Sequence, residues 1–120
     1  MSHKFVHIEL STRDQKESGA FYSKVFGWAL QEFPDMNYTT FTPGEGEVGG
    51  GFNPISDNQP AGTVMAYIHT DDLADTLEKV KANGGEVLLE SYDIPGVGTM
   101  ATFKDPSGNT LSLLQPAEDM

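Results

Sequence analysis

The stretch from Phe5 to Thr12, FVHIELST, alternates as a β-strand does: Val6, Ile8 and Leu10 share one face, and Phe5, His7 and Glu9 the other. Similar short runs, bounded by Gly, Pro, Asn and Asp, predict strands near 4–10, 28–33, 37–42, 48–53, 63–70, 86–92, 98–104 and 109–115. Two segments follow a helical period instead. The first, Gln15 to Phe26, is opened by Asp14 as N-cap with Glu17 three residues on, carries Phe21 and Val25 as its apolar stripe, and closes at Gly27. The second, Leu73 to Asn83, is capped by Asp72, has Leu73, Leu77 and Val80 on one side, and stops at Gly84-Gly85.

The order strand, helix, three strands occurs twice. His7 and Gly27 correspond to Met65 and Gly85 at an offset of 58, and Phe41 and Gly46 to Phe103 and Gly108 at an offset of 62. The difference places a four-residue insertion around YDIPGVG. The chain therefore reads as one domain, 1–120, made of two βαβββ modules at about 4–53 and 63–116, joined by the Pro- and Asn-rich linker 54–62. Two copies placed together can cover sheet faces that one could not. DPSGN at 105–109 and TPGEG at 42–46 supply the corresponding hairpin turns.

Composition narrows the chemistry. At 120 residues the chain can bury about two thirds of its unfolded surface. No apolar run approaches a membrane span or a signal-peptide core, so a soluble, cytoplasmic protein with no membrane partner is expected. There are no cysteines, which excludes zinc–thiolate sites and thiol catalysis. Seven basic against 18 acidic residues give a net charge of −11, which argues against nucleic acid and would attract a cationic ligand. Gly44, Gly46 and Gly49 match the G-x-G-x-x-G pattern of dinucleotide loops. Glu45 and Glu47 would repel phosphate, and no helix follows, so these glycines read as a hairpin.

HIELSTRDQKESGAFYSKVFGW, DDLADTLEKVKANGGEV and IPGVGTMATFKDPSGNTLSLLQP, on the duplicated plan, resemble the vicinal oxygen chelate superfamily over about residues 4 to 116. That group holds the glyoxalases, bleomycin-resistance proteins, epimerases and extradiol dioxygenases. The resemblance is to its short glyoxalase-like members. It implies an α+β fold with a cup-shaped, eight-stranded mixed sheet, helices on the outer face, a ligand in the cup, and a homodimer. Its metal-ligand positions match His7, Gly50, Met65 and Ser112 here, and only His7 is a standard ligand. Gly50 has no side chain, Met65 is a soft thioether and Ser112 a weak donor, so no metal and no other cofactor is expected.

Strand alternation places Phe5, His7 and Glu9, Phe52, Met65, Tyr67 and His69, and Thr110, Ser112 and Leu114 on the face of the cup, with Trp28 among the aromatic residues near it. His7 and Glu9, roughly 7 Å apart along the strand, can share one ligand or move a proton between them. His69, beside Asp71, reads as a surface ion-pair partner, and His3 as part of an unstructured terminus. Two functions follow. One is a binding protein of the bleomycin-resistance kind, sequestering or sensing a small metabolite or drug, cationic or aromatic. The other is a glyoxalase-like lyase or isomerase acting on a small carbonyl compound, with His7 and Glu9 as its catalytic pair.

Overall fold

A computed structural model of the chain describes residues 3–57, 59–94 and 96–117. The elements are β1 (Phe5–Thr12), α1 (Gln15–Phe26), β2 (Ala29–Phe33), a 3-10 turn (Pro34–Met36), β3 (Tyr38–Thr42), β4 (Gly50–Pro54), β5 (Val64–His69), α2 (Leu73–Ala82), β6 (Glu86–Ile94), β7 (Gly98–Lys104) and β8 (Thr110–Pro116). The chain divides into two compact units. The N-terminal unit is Val6–Met65, and the C-terminal unit is Met1–Phe5 with Ala66–Met120. The amide of His69 donates to the Lys4 carbonyl at 2.8 Å, which draws the first residues into the C-terminal unit.

The strands form one mixed sheet in the order β2-β3-β4-β1-β5-β8-β7-β6. This corrects the expected cup shape. The order is open, with β2 and β6 at opposite ends and not paired with each other. Duplication dictates two copies of a four-strand arrangement, but curl depends on twist and bulges that the repeat does not specify.

Each unit repeats the same local devices. The Asp14 carboxylate accepts from the amides of Lys16 and Glu17, and the Asp72 carboxylate from the amide of Asp75. Ahead of these caps, the Thr12 hydroxyl lies 2.5 Å from that of Ser18, and the Thr70 hydroxyl 2.7 Å from that of Thr76. Thr12 and Ser18 stand 58 residues before Thr70 and Thr76, so the repeat extends to side-chain hydrogen bonds. Gly27 closes α1 in the left-handed conformation, φ 75°, as its position predicts. The four-residue insertion is taken up in β6, which has nine residues where β2 has five and carries register shifts near Leu89.

In the C-terminal unit Leu73 and Leu77 of α2 pack on Ala101 and Leu113, with Ile68, Val87 and Phe103 around them. In the N-terminal unit the apolar stripe differs from expectation. Phe21 and Val25 are more than half exposed, and α1 turns Gly19 inward instead. A Cβ on Gly19 would lie 2.9 Å from a methyl of Leu30, so the glycine lets helix and sheet approach. The apolar contact is made by an aromatic stack: Trp28 lies between Tyr22 and Phe41, with ring centroids 4.9 and 4.6 Å away, and Phe52 closes against Phe41 at 5.3 Å. No helix among the described residues is long and apolar enough to cross a membrane.

Candidate functional site: a part-buried carboxylate in the N-terminal unit

Strand register decides which side chains meet. β1 pairs with β4 in parallel, with Ile8 opposite Gly50, Glu9 opposite Gly51 and Ser11 opposite Asn53. β3 pairs with β4 antiparallel, with Thr40 opposite Gly51 and Phe41 opposite Gly50. Residues opposite one another share a face, so His7, Glu9, Tyr38, Thr40, Gly51 and Asn53 lie on one side. Ile8, Phe41, Gly50 and Phe52 lie on the other, under α1.

This register revises two expected positions. Gly50 does not share the face of His7, because a Cβ there would meet the Ile8 carbonyl oxygen at 1.8 Å and the Phe41 ring at 2.6 Å. Phe52 is fully buried in the aromatic stack with Trp28 rather than beside Glu9. In the C-terminal unit Thr102 and Tyr67 stand opposite Ser112 as Thr40 and Glu9 stand opposite Gly51. The counterpart of Ser112 is therefore Gly51, at an offset of 61. Between paired positions the β3–β4 hairpin holds one residue more than the β7–β8 hairpin, since Thr40 and Gly51 are 11 apart and Thr102 and Ser112 are 10 apart, which a constant offset of 62 does not allow for.

Four side chains converge on Glu9 or on its partners. The Tyr38 hydroxyl donates to Glu9 Oε2 at 2.8 Å, and the Asn53 amide donates to Glu9 Oε1. Asn53 Nδ2 also lies 3.0 Å from Gln59 Oε1, which ties the cluster to the segment between the modules. His7 Nε2 is 3.3 Å from Glu9 Oε2 and 3.1 Å from the Tyr38 oxygen. The Glu9 side chain is 11% exposed and that of His7 28%. A carboxylate removed this far from water is stable only with donors around it, and Tyr38 and Asn53 provide them. Asn53 and Gln59 are not among the residues the sequence singles out, and Tyr38 stands out there only as one of the aromatic residues of the first module, with Trp28, Phe41 and Phe52. The signal for them was Gly51, a bare position facing Glu9 that calls for another residue to fill its space.

The other expected residues belong to the C-terminal unit or its border. Tyr67 and Ser112 are buried and paired in register, and the Ser112 hydroxyl lies 3.1 Å from that of Thr102. Met65 is buried, whereas Thr110 and Phe5 are exposed. His69 Nε2 lies 3.5 Å from Asp71, the ion-pair partner expected of it. His3 is not unstructured: its Nδ1 hydrogen-bonds the His69 carbonyl at 3.0 Å. Of the dinucleotide-like glycines, Gly44 and Gly46 sit in a turn closed from the Glu47 amide to the Gly44 carbonyl, Gly49 lies just beyond it, and no helix follows.

A divalent metal, which the resemblance brings into question, does not fit the cluster. No group of three or more His, Asp or Glu side chains able to hold an ion occurs among the described residues. His7 and Glu9 supply two donors, and the nearest neighbours of Glu9 already aim hydrogens at its carboxylate. At the end of the same unit a cavity of about 350 Å³ opens between the first turn of α1 and the β2–β3 connection, lined by Thr12, Gln15, Lys16, Glu32, Asn37 and Tyr38 among others. Tyr38 thus borders the cavity and also holds Glu9.

Residues 4–113 match the family model of the Glyoxalase/Bleomycin resistance protein/Dioxygenase superfamily. The chain belongs to this superfamily. It is 36% identical over 112 residues to the putative glyoxylase CFP32 of Mycobacterium tuberculosis, covering 91% of this chain and 42% of that protein. It therefore spans less than half the length of that relative. A glyoxylase-like domain-containing protein of Didymella fabae is 34% identical over 110 residues, 86% of each chain. Among solved structures, protein BH1468 of Bacillus halodurans superposes with a TM-score of 0.74 at 18% identity, covering 100% of this chain and 99% of that one, a likeness of fold.

Proposed function

We propose that this superfamily member binds a small organic molecule at the polar face of β1 and β4, with the Glu9 cluster as its recognition element, so as to sequester or sense that molecule. The observation that carries the reading is the Glu9 carboxylate, mostly withdrawn from water and held by two neutral donors beside a half-buried imidazole. Such an arrangement presents fixed hydrogen-bonding groups to an organic ligand without the donor set of an ion. The net charge of −11 favours a ligand carrying positive charge.

The test is native mass spectrometry with a thermal-shift screen of cationic aromatic compounds, small carbonyl compounds and divalent metals. A compound that forms a one-to-one complex and raises the melting temperature, with affinity at least about tenfold weaker in Glu9→Gln, is the expected result; tenfold corresponds to one charge-assisted hydrogen bond. Binding that is equal in wild type, Glu9→Gln and His7→Ala removes the cluster from the site. Stoichiometric metal uptake abolished by His7→Ala replaces the reading with a metalloprotein. Chemical conversion of a bound carbonyl compound, lost in His7→Ala, would favour the lyase or isomerase reading.

A further inference from the structure

The two units treat one structural position differently. In the C-terminal unit the position on β8 opposite Thr102 is Ser112, whose hydroxyl bonds that of Thr102. In the N-terminal unit the corresponding position is Gly51, and Thr40, the counterpart of Thr102, donates to the Gln31 carbonyl at 3.4 Å. The space above Gly51 is nevertheless taken. A Cβ built there would lie 1.9 Å from the Tyr38 oxygen and 2.2 Å from its ring carbon. A polar group therefore stands at this position in both units, from β8 itself in one and from the start of β3 in the other.

We infer that Tyr38 is the positioning residue of the Glu9 cluster: its phenol, lodged over Gly51, fixes the Glu9 carboxylate and orients the His7 imidazole. The inference rests on the reading of that cluster as a ligand site and names what holds it in shape. A phenol has one hydrogen, which goes to Glu9 Oε2. Its 3.1 Å contact with His7 Nε2 then requires the imidazole to donate, so Nε2 carries a hydrogen shared between the phenol oxygen and Glu9 Oε2. Asn53, tied to Gln59, holds the other carboxylate oxygen. Carboxylate, imidazole and phenol thus form one triangle of contacts, and loss of the phenol oxygen alone loosens both of the other groups.

Tyr38→Phe removes that oxygen and keeps the ring, so a double-mutant cycle with Glu9→Ala, which removes both acceptor oxygens, isolates the contact. In the ligand-free protein the double variant's shift in the unfolding equilibrium falls short of the product of the two single shifts by about threefold or more. The Nε2–H proton resonance of His7, assigned by its loss in His7→Gln, moves upfield or broadens into solvent exchange in Tyr38→Phe. Multiplicative effects in the cycle, or an unmoved Nε2–H resonance, overturn the assignment. Neither readout involves a ligand. They can fail while binding at Glu9 stands, and hold while it falls.

Discussion

The hydroxyl of Tyr38 occupies the place where residue 51 would carry its first side-chain carbon, 1.9 Å from an ideal Cβ built on Gly51. The two residues are thus constrained as a pair. Gly51→Ala forces the Tyr38 ring out of its seat, an overpacking cost of about 1–3 kcal/mol on top of the lost hydrogen bond to Glu9. Removing the ring relieves the clash, so Gly51→Ala costs less in a Tyr38→Ala background than in the wild-type chain. Urea denaturation of the four proteins checks this, and equal costs in both backgrounds would show that Tyr38 does not fill the space.

Glu9→Gln preserves shape but replaces one acceptor oxygen with an NH2 group facing the donors of Tyr38 or Asn53. A buried donor set against a donor leaves one hydrogen bond unmade, and the expected loss of stability is about 1–3 kcal/mol. Asn53→Asp places a second carboxylate against Glu9 and is expected to cost more near neutral pH than in acid, where one of the two takes up a proton. Chemical denaturation at the two pH values measures it, and a pH-independent cost would remove Asn53 from contact with Glu9.

The elements were legible because local chemistry marks them. Asp14, Gly27 and Asp72 act where their types and spacing place them, and the 58-residue offset reappears in the hydrogen bonds of Thr12 and Thr70. The candidate site was half legible. His7 and Glu9 stand together as their alternation on β1 predicts, since a strand carries residues i and i+2 on one face. The fourth strand failed because one extra residue in the β3–β4 hairpin shifts its register, and a shift by one exchanges the two faces. That error carried Gly50 and Phe52 to the wrong side and hid Gly51 and Asn53. Tyr38 reaches Glu9 from 29 positions away, a contact made by strand pairing that no local pattern announces. On α1, Phe21 and Val25 have helical spacing, but hydrophobicity alone does not reveal that Gly19 marks the side of close approach.

Phe52 provides a check on that reassignment. Fully buried against Tyr22 and Phe41, it belongs to the stack that contains Trp28, the single tryptophan of the chain. Phe52→Ala is expected to cost about 3–5 kcal/mol through the cavity it leaves and to shift Trp28 emission to longer wavelength as water reaches the stack. A variant of native stability, with unchanged emission, would return Phe52 to the face of Glu9.

The acid limb of stability should carry a signature of the turn between β7 and β8. The Asp105 carboxylate accepts from the Asn109 side chain at 2.9 Å and from the amides of Asn109 and Ser107, each at 2.9 Å. These bonds, led by the one from the Asn109 side chain, favour the charged form and hold its pKa below the ordinary 3.8. A depressed folded-state value means that the turn stabilises the fold above the unfolded pKa. That stabilisation disappears as pH falls through the lower, folded value, because the unfolded chain takes up the proton first. Asp105→Asn lacks this proton uptake. The variant is therefore expected to be less stable than wild type at neutral pH and to converge with it below the carboxylate range. Urea midpoints measured across the acid range test the sign, and a gap that widens on acidification would show that the turn does not favour the charged form of Asp105.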